Sequence, residues 1–291
     1  MKKKVLLVVN PVSGDLDKTQ LIEAVTSYAS QHNMHFVSYE TSGNDDVSKI
    51  RALYEQQKPH RIIVAGGDGT IKMVSEAMEH YDVILGILPA GSANGLAVDL
   101  NLPATIEDNL SIAFGDDFMN MDMICINNRK SMHLSDIGIN ADLVKNYEGS
   151  DTRGMWGYAL QAFTTLKDLD EPFTATITVQ GLTMEVVARM IVIANSQKYG
   201  TGVTINPNGK MDDGKFELVI LKNLDMVVFS QIVSGNMPID SDKIEIISTD
   251  RAVIKTNVPV SFQVDGEYCG AETNLDIRIL PGQMKIAVPK S

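Results

Sequence analysis

The stretch Ile62-Ile63-Val64-Ala65-Gly66-Gly67-Asp68-Gly69-Thr70 runs a β-branched segment into three glycines set around one carboxylate. Without a Cβ, glycine lets a phosphate approach the backbone and take N–H groups at the start of a following helix. A phosphate would repel Asp68 unless a cation stood between them, so the chemistry that suits this carboxylate is holding Mg²⁺, directly or through water. The plain alternative is a tight turn in which Asp68 or Thr70 caps the helix. The stretch is neither a Gly-x-x-x-x-Gly-Lys-Ser/Thr loop nor the Gly-x-Gly-x-x-Gly of dinucleotide folds. Two more small-residue loops follow strand-like runs: Asn10-Pro11-Val12-Ser13-Gly14 after Val5–Val9, and Pro89-Ala90-Gly91-Ser92-Ala93-Asn94-Gly95 after Ile84–Leu88. Each alone reads as a turn. At the carboxyl ends of strands in one open sheet, the three together point to a single phosphate-bearing ligand.

The elements that must position these loops alternate over the first ~100 residues, as in a mostly parallel sheet covered by helices. Val5–Val9, His35–Tyr39, Ile62–Ala65 and Ile84–Leu88 are the strands; Leu21-Ile22-Val25-Tyr28-Ala29 and Val47-Ile50-Leu53-Tyr54 carry helical spacing. From about Phe118 the chain becomes β-rich, with hairpin signals at Asn127-Asn128 and Asp265-Gly266. Strands are expected at Phe173–Val179, Lys215–Leu221, Lys243–Ile247, Val260–Val264 and Leu275–Leu280, and helices near Met155–Leu169 and Leu224–Val233. The expectation is a two-domain α/β chain, with 1–117 as a nucleotide-binding domain and 118–291 as a β-rich domain.

At 291 residues, 44% hydrophobic and 21% charged, the chain has room for two cores. Its net charge of −12 argues against broad binding to nucleic acid or anionic lipid. No apolar run approaches the ~18–20 residues of a membrane span, and Lys2-Lys3-Lys4 leads into too short an apolar stretch for a secretory signal, so the sequence reads as cytoplasmic. Cys125 and Cys269 are far apart and read as core or half-buried thiols. His32 and His35 read as surface structure, and the alternating Met119, Met121 and Met123 as core or a soft lipid-facing wall.

The three loops, in this order and approximate spacing, resemble the amino-terminal motifs of the diacylglycerol kinase catalytic domain superfamily, which includes bacterial lipid kinases, sphingosine kinases and ceramide kinases. Asp212-Asp213-Gly214 looks like its acidic loop and Asp265-Gly266-Glu267 like its carboxy-terminal Asp-Gly-Glu, so the resemblance spans nearly the whole chain. It implies an α/β nucleotide domain and a β-sandwich lipid domain, ATP phosphates in the cleft between them, and a final strand, Met284–Val288, returning to the first domain. It further implies ATP contacts from Asn10, Pro11, Ser13, Gly14, Gly66, Gly67, Asp68, Gly69, Thr70, Lys72, Ser92 and Asn94, with Thr41 of Glu40-Thr41-Ser42-Gly43 added, and Mg²⁺ organised by Asp68. Glu267 matches the proton acceptor for the lipid hydroxyl; a hairpin turn at Asp265-Gly266 is compatible with that role. Asp213, with the carbonyls of Lys210 and Lys215, matches a second, structural Mg²⁺ site; a solvated turn is the alternative.

Phosphoryl transfer needs mainly positioning and charge neutralisation, which two glycine loops, Asp68 and Glu267 supply. This sequence departs from the pattern at Lys72, where the family usually has Asn, and at Ser92-Ala93-Asn94-Gly95, which is nearer the sphingosine and ceramide kinase version. Asp142 of Gly138-Ile139-Asn140-Ala141-Asp142 resembles a head-group-recognising aspartate; a plain loop aspartate is the alternative. The expected activity is an ATP- and Mg²⁺-dependent kinase acting on a lipid hydroxyl at a transiently contacted membrane surface, with a homodimer allowed by the habit of bacterial members. An NAD kinase-like enzyme and a non-catalytic lipid- or nucleotide-binding homologue are the competing readings.

Overall fold

A computed structural model describes residues 3–14, 17–92, 94–139, 141, 171–198, 203–223, 231–232 and 242–290. Asp142, the expected helix near Met155–Leu169 and most of Leu224–Val233 lie outside the described residues; Gln231 and Ile232 are helical. The chain divides into two compact units, Met1–Met121 with Gly282–Ser291, and Asp122–Pro281.

In the first unit β1 (Lys4–Val9), β2 (His35–Glu40), β3 (Arg61–Gly66) and β4 (Ile84–Pro89) alternate with α1 (Lys18–Gln31), α2 (Asp46–Gln57) and α3 (Asp68–Ala77); α4 (Gly95–Asp99) and α5 (Ile106–Ala113) follow. The strands are parallel in the order β2-β1-β3-β4. β1 and β3, covered on both faces, are continuous apolar runs, whereas β2 at the edge alternates. Leu21 and Val25, on the buried stripe of α1 that also carries Ala29, pack with Val5, Leu7 and Ile63.

In the second unit β5 (Phe118–Ile126), which starts in the first, turns through Asn127-Asn128 into β6 (Arg129–Ser131); β7 (Leu134–Gly138), β8 (Phe173–Val179), β9 (Leu182–Ala188), β10 (Met190–Ala194), β11 (Phe216–Leu221), β12 (Ile244–Thr249), β13 (Arg251–Val264) and β14 (Glu267–Ala287) follow. β12, β11, β10 and β7 form an antiparallel run. Long β13 pairs with β8 through Ala252–Thr256 and with β7 through Phe262–Val264, changing partner across register breaks between Lys255 and Gln263. Ile177, Ile191, Phe216, Leu218, Phe262 and Ile277 lie in the resulting core. Met121 and Met123 are also buried.

β14 continues past the second unit: Lys285 and Ile286 pair in parallel with Ile84 and Leu85 of β4. There Lys285 Nζ reaches Asp82 Oδ1 at 2.5 Å, and the Val288 N–H donates to the Asp117 carbonyl at 3.1 Å. Among the described residues no helix is long and apolar enough to cross a membrane.

Candidate functional site

Where β1, β3 and β4 end, sheet hydrogen bonding runs on into the loops: the Asn10 N–H donates to Ala65 O and the Ala90 N–H to Gly66 O, each at 3.0 Å. Asn10, Pro11, Ser13 and Gly14, then Gly66 to Thr70, then Ala90 to Ser92 and Asn94 are thereby carried at the carboxyl end of one parallel sheet. Side chains complete the convergence. Asn10 Nδ2 donates to Thr70 Oγ1 at 3.2 Å, and Ser13 Oγ lies 3.0 Å from Ala90 O. Gly14, at φ +58°, sits so close to the third loop that a Cβ would come within 2.8 Å of the Gly91 carbonyl carbon. Asn94 folds its own loop by exchanging hydrogen bonds with Gly91, at 2.9 and 3.0 Å.

The N-cap of α3 is Gly67, whose extended backbone supplies no side-chain cap. This corrects the turn reading in which Asp68 or Thr70 would cap that helix. Asp68 instead accepts the Gly95 N–H at Oδ2 (2.7 Å) and the Leu96 N–H at Oδ1 (3.1 Å), capping the start of α4. The first backbone bonds of α3 are those of the Thr70 and Ile71 N–H groups to Gly67 O, at 3.0 and 3.1 Å, so the N–H groups of Gly67, Asp68 and Gly69 precede the helical ladder, the situation that favours an anion. The glycines differ in purpose. A Cβ on Gly66 would meet Thr70 Oγ1 at 2.5 Å, so its bareness serves packing; a Cβ on Gly69 would meet nothing within 4 Å, so the backbone there is open. The half-buried Asp68 carboxylate, an oxygen ligand beside the open backbone of Gly69, accepts from Gly95 and Leu96 in an arrangement that holds it at the mouth of the second loop. A carboxylate oxygen in this place is the donor type that suits a hydrated Mg²⁺ alongside a nucleotide phosphate.

Thr41 is buried and its N–H donates to Val9 O at 2.8 Å, which sets it beside the first loop. The turn behind it is organised by Asp46. That buried carboxylate accepts from the Ser42 N–H (2.9 Å), the Gly43 N–H (2.7 Å), Ser42 Oγ (3.1 Å) and Tyr39 OH (2.5 Å). Burial opposes its ionisation, but the bonds from Tyr39, Ser42 and Gly43 outweigh it and bring the carboxyl down to about 2. Burial and the Asp46 partner push the Tyr39 phenol up to about 12. Lys72 is half-buried on α3, and Ser92 is exposed.

Sequence reasoning missed Asp46 and also Lys18, whose ammonium reaches the carbonyls of Ser13 and Ala90. An aspartate one turn after a Thr-Ser-Gly segment was the available signal for the first; nothing local marks the second.

In the second unit Glu267 is exposed and opens β14 directly after a two-residue turn with Asp265 at φ +49° and Gly266 at φ +86°. The Asp265 carboxylate accepts from Ser131 Oγ (2.9 Å) and from the N–H groups of Met132 (3.0 Å) and His133 (3.0 Å), while the Gly266 N–H donates to Gln263 Oε1 at 2.7 Å. Glu267 is thus carried on an anchored hairpin. Exposed Lys210, Asp213 and Lys215 share the segment before β11. The Lys215 N–H donates to Asp213 Oδ1 at 3.1 Å, and Asp122 Oδ2 accepts the Gly214 N–H at 2.7 Å. One carboxylate with neighbouring carbonyls is a hard-oxygen donor set that fits Mg²⁺.

Residues 4–126 match the family model described as the diacylglycerol kinase catalytic domain, and residues 136–288 the model described as the YegS C-terminal NAD kinase beta sandwich-like domain. "Lipid kinase YegS" of Escherichia coli K12 is 27% identical over 237 residues, 78% of each chain. "Probable lipid kinase YegS-like" of Chromohalobacter salexigens is 25% identical over 292 residues, 98% of this chain and 93% of that one. A solved diacylglycerol kinase structure from Bacillus anthracis str. Sterne has the same fold, with a TM-score of 0.75 at 21% identity, covering 99% of this chain and 97% of the other.

Proposed function

Because the chain belongs to the family that joins a diacylglycerol kinase catalytic domain to a YegS C-terminal NAD kinase beta sandwich-like domain, we propose that it is a lipid kinase that transfers the γ-phosphate of ATP to a lipid hydroxyl. The observation that carries the nucleotide half of this reading is the tying of three small-residue loops to one another through Asn10 and Thr70, Ser13 and Ala90, and Asp68 and Gly95. Backbone N–H groups at Gly67 to Gly69 and in the 10–14 loop bind the phosphates, with Asn10, Thr70, Lys72, Ser92 and Asn94 as polar neighbours and Thr41 at the edge.

Asp68 holds Mg²⁺, which when bound neutralises charge on the phosphate oxygens. Glu267 takes the proton of the lipid hydroxyl as its oxygen forms a bond to the γ-phosphorus; the bond from that phosphorus to the bridging oxygen breaks and ADP leaves. The alcohol thereby becomes a phosphate monoester, and the proton rests on Glu267. Asp213, with the Lys210 and Lys215 carbonyls, holds a second Mg²⁺ of structural purpose. The acceptor is diacylglycerol or a sphingoid- or ceramide-like lipid taken from a transiently contacted membrane surface.

The test is transfer of labelled γ-phosphate from MgATP to diacylglycerol, sphingoid bases, ceramide, phosphatidylglycerol and NAD, beside a Glu267→Ala control. A labelled lipid lost in the variant supports the proposal. Labelled NAD would replace it with the small-molecule kinase reading, and ATP binding without transfer to any acceptor would favour a binding homologue.

A further inference from the structure

Lys18 opens α1, yet it is only 7% exposed. Its Nζ donates to the Ser13 carbonyl at 2.6 Å and to the Ala90 carbonyl at 2.7 Å, joining the first loop to the third. Ser13 Oγ shares the Ala90 acceptor. The first turn of a helix is the unfavourable end for a cation, and burying an ammonium carries a large desolvation cost. A lysine placed there against both trends serves the loops rather than the helix. Resting on the nucleotide reading above, we infer that Lys18 is the positioning residue of the triphosphate site: it locks the 10–14 and 90–94 loops together and sets a fixed positive charge behind them. In a chain of net charge −12, a buried cation is screened little by salt and acts on whatever anion the loops receive. Its benefit therefore grows with the number of phosphates, which a purely mechanical strut would not produce.

The experiment is calorimetric titration of the full chain with MgADP and with a non-hydrolysable MgATP analogue, in wild type, Lys18→Met and Lys18→Arg. Lys18→Met should weaken the triphosphate by about tenfold or more and the diphosphate by clearly less, with Lys18→Arg recovering most of the loss. In turnover, the change should fall on the KM for ATP more than on kcat. Equal losses for both nucleotides, or no loss, overturn the inference. If Lys18→Met fails to fold, Lys18→Gln, which keeps a donor without the charge, takes its place; if neither folds, Lys18 serves the fold alone and the inference falls. Wild type that binds neither nucleotide would overturn the site reading itself, whereas wild type that binds while Lys18→Met binds equally well overturns only the role of Lys18.

Discussion

Asp68 reaches across to Gly95: its Oδ2 lies 2.7 Å from the Gly95 backbone nitrogen, and its Oδ1 takes the neighbouring Leu96 N–H. A single side chain therefore shapes the third loop as well as lining the second. Asp68→Asn keeps an acceptor for one of these N–H groups but turns an N–H₂ toward the other. Phosphoryl transfer should be lost beyond detection, and the Tm should fall by the few degrees expected for about 1–2 kcal/mol. A variant with wild-type turnover would remove Asp68 from the site.

Glu267→Gln is isosteric and leaves the hairpin anchored by Asp265. It should lower kcat by ~10²–10⁴-fold while ATP affinity and Tm stay near wild type. Steady-state kinetics with a titration of MgATP decide it. A matching loss of ATP affinity would show that Glu267 serves binding instead.

Gly66 and Gly69 are adjacent in purpose but opposite in surroundings. Gly66→Ala forces a methyl group onto Thr70 and should cost about 1–3 kcal/mol by thermal or urea unfolding. Gly69→Ala meets open space within α3 and should leave stability unchanged or raise it by up to about 1 kcal/mol, while weakening ATP where the backbone is approached. Tight ATP binding by Gly69→Ala would place the phosphates elsewhere.

Asp46 gives the acid side of the stability curve a defined contribution. Its carboxyl titrates lower in the folded chain, about 2, than the ordinary 3.8. The folded state is therefore favoured while Asp46 is ionised, above the unfolded value, and that advantage disappears as pH falls from about 4 toward 2. Asp46→Asn should be less stable than wild type at neutral pH, with the difference shrinking across that interval in denaturant melts. A difference that did not change with pH would mean that packing, not ionisation, carries the effect.

The first four strands were legible because buried parallel strands are nearly all apolar, and the loops because small residues repeat after each one. Asn127-Asn128 and Asp265-Gly266 were legible as turns by composition, and both pairs adopt positive φ. Gln180-Gly181 makes the same kind of turn between β8 and β9 and was missed, because glutamine carries little turn signal. β13 is far longer than Val260–Val264, since exposed Lys255 and Asn257 and two register breaks interrupt its alternation. Lys18 was illegible for a different reason: its acceptor at Ala90 lies 72 residues away, and only the folded sheet brings them together.

The pairing of Lys285 and Ile286 with β4 has a temporal side. During synthesis β4 leaves the ribosome well before this neighbour, since Lys285 lies 203 residues beyond its partner Asp82. Until then that sheet presents an unpaired parallel edge, the kind of surface to which chaperones and stray strands attach. The nucleotide loops sit on a scaffold whose β4 edge is covered only after the second unit has been made, so a chain cut before β14 would hold every glycine of the phosphate site without the full sheet that steadies them.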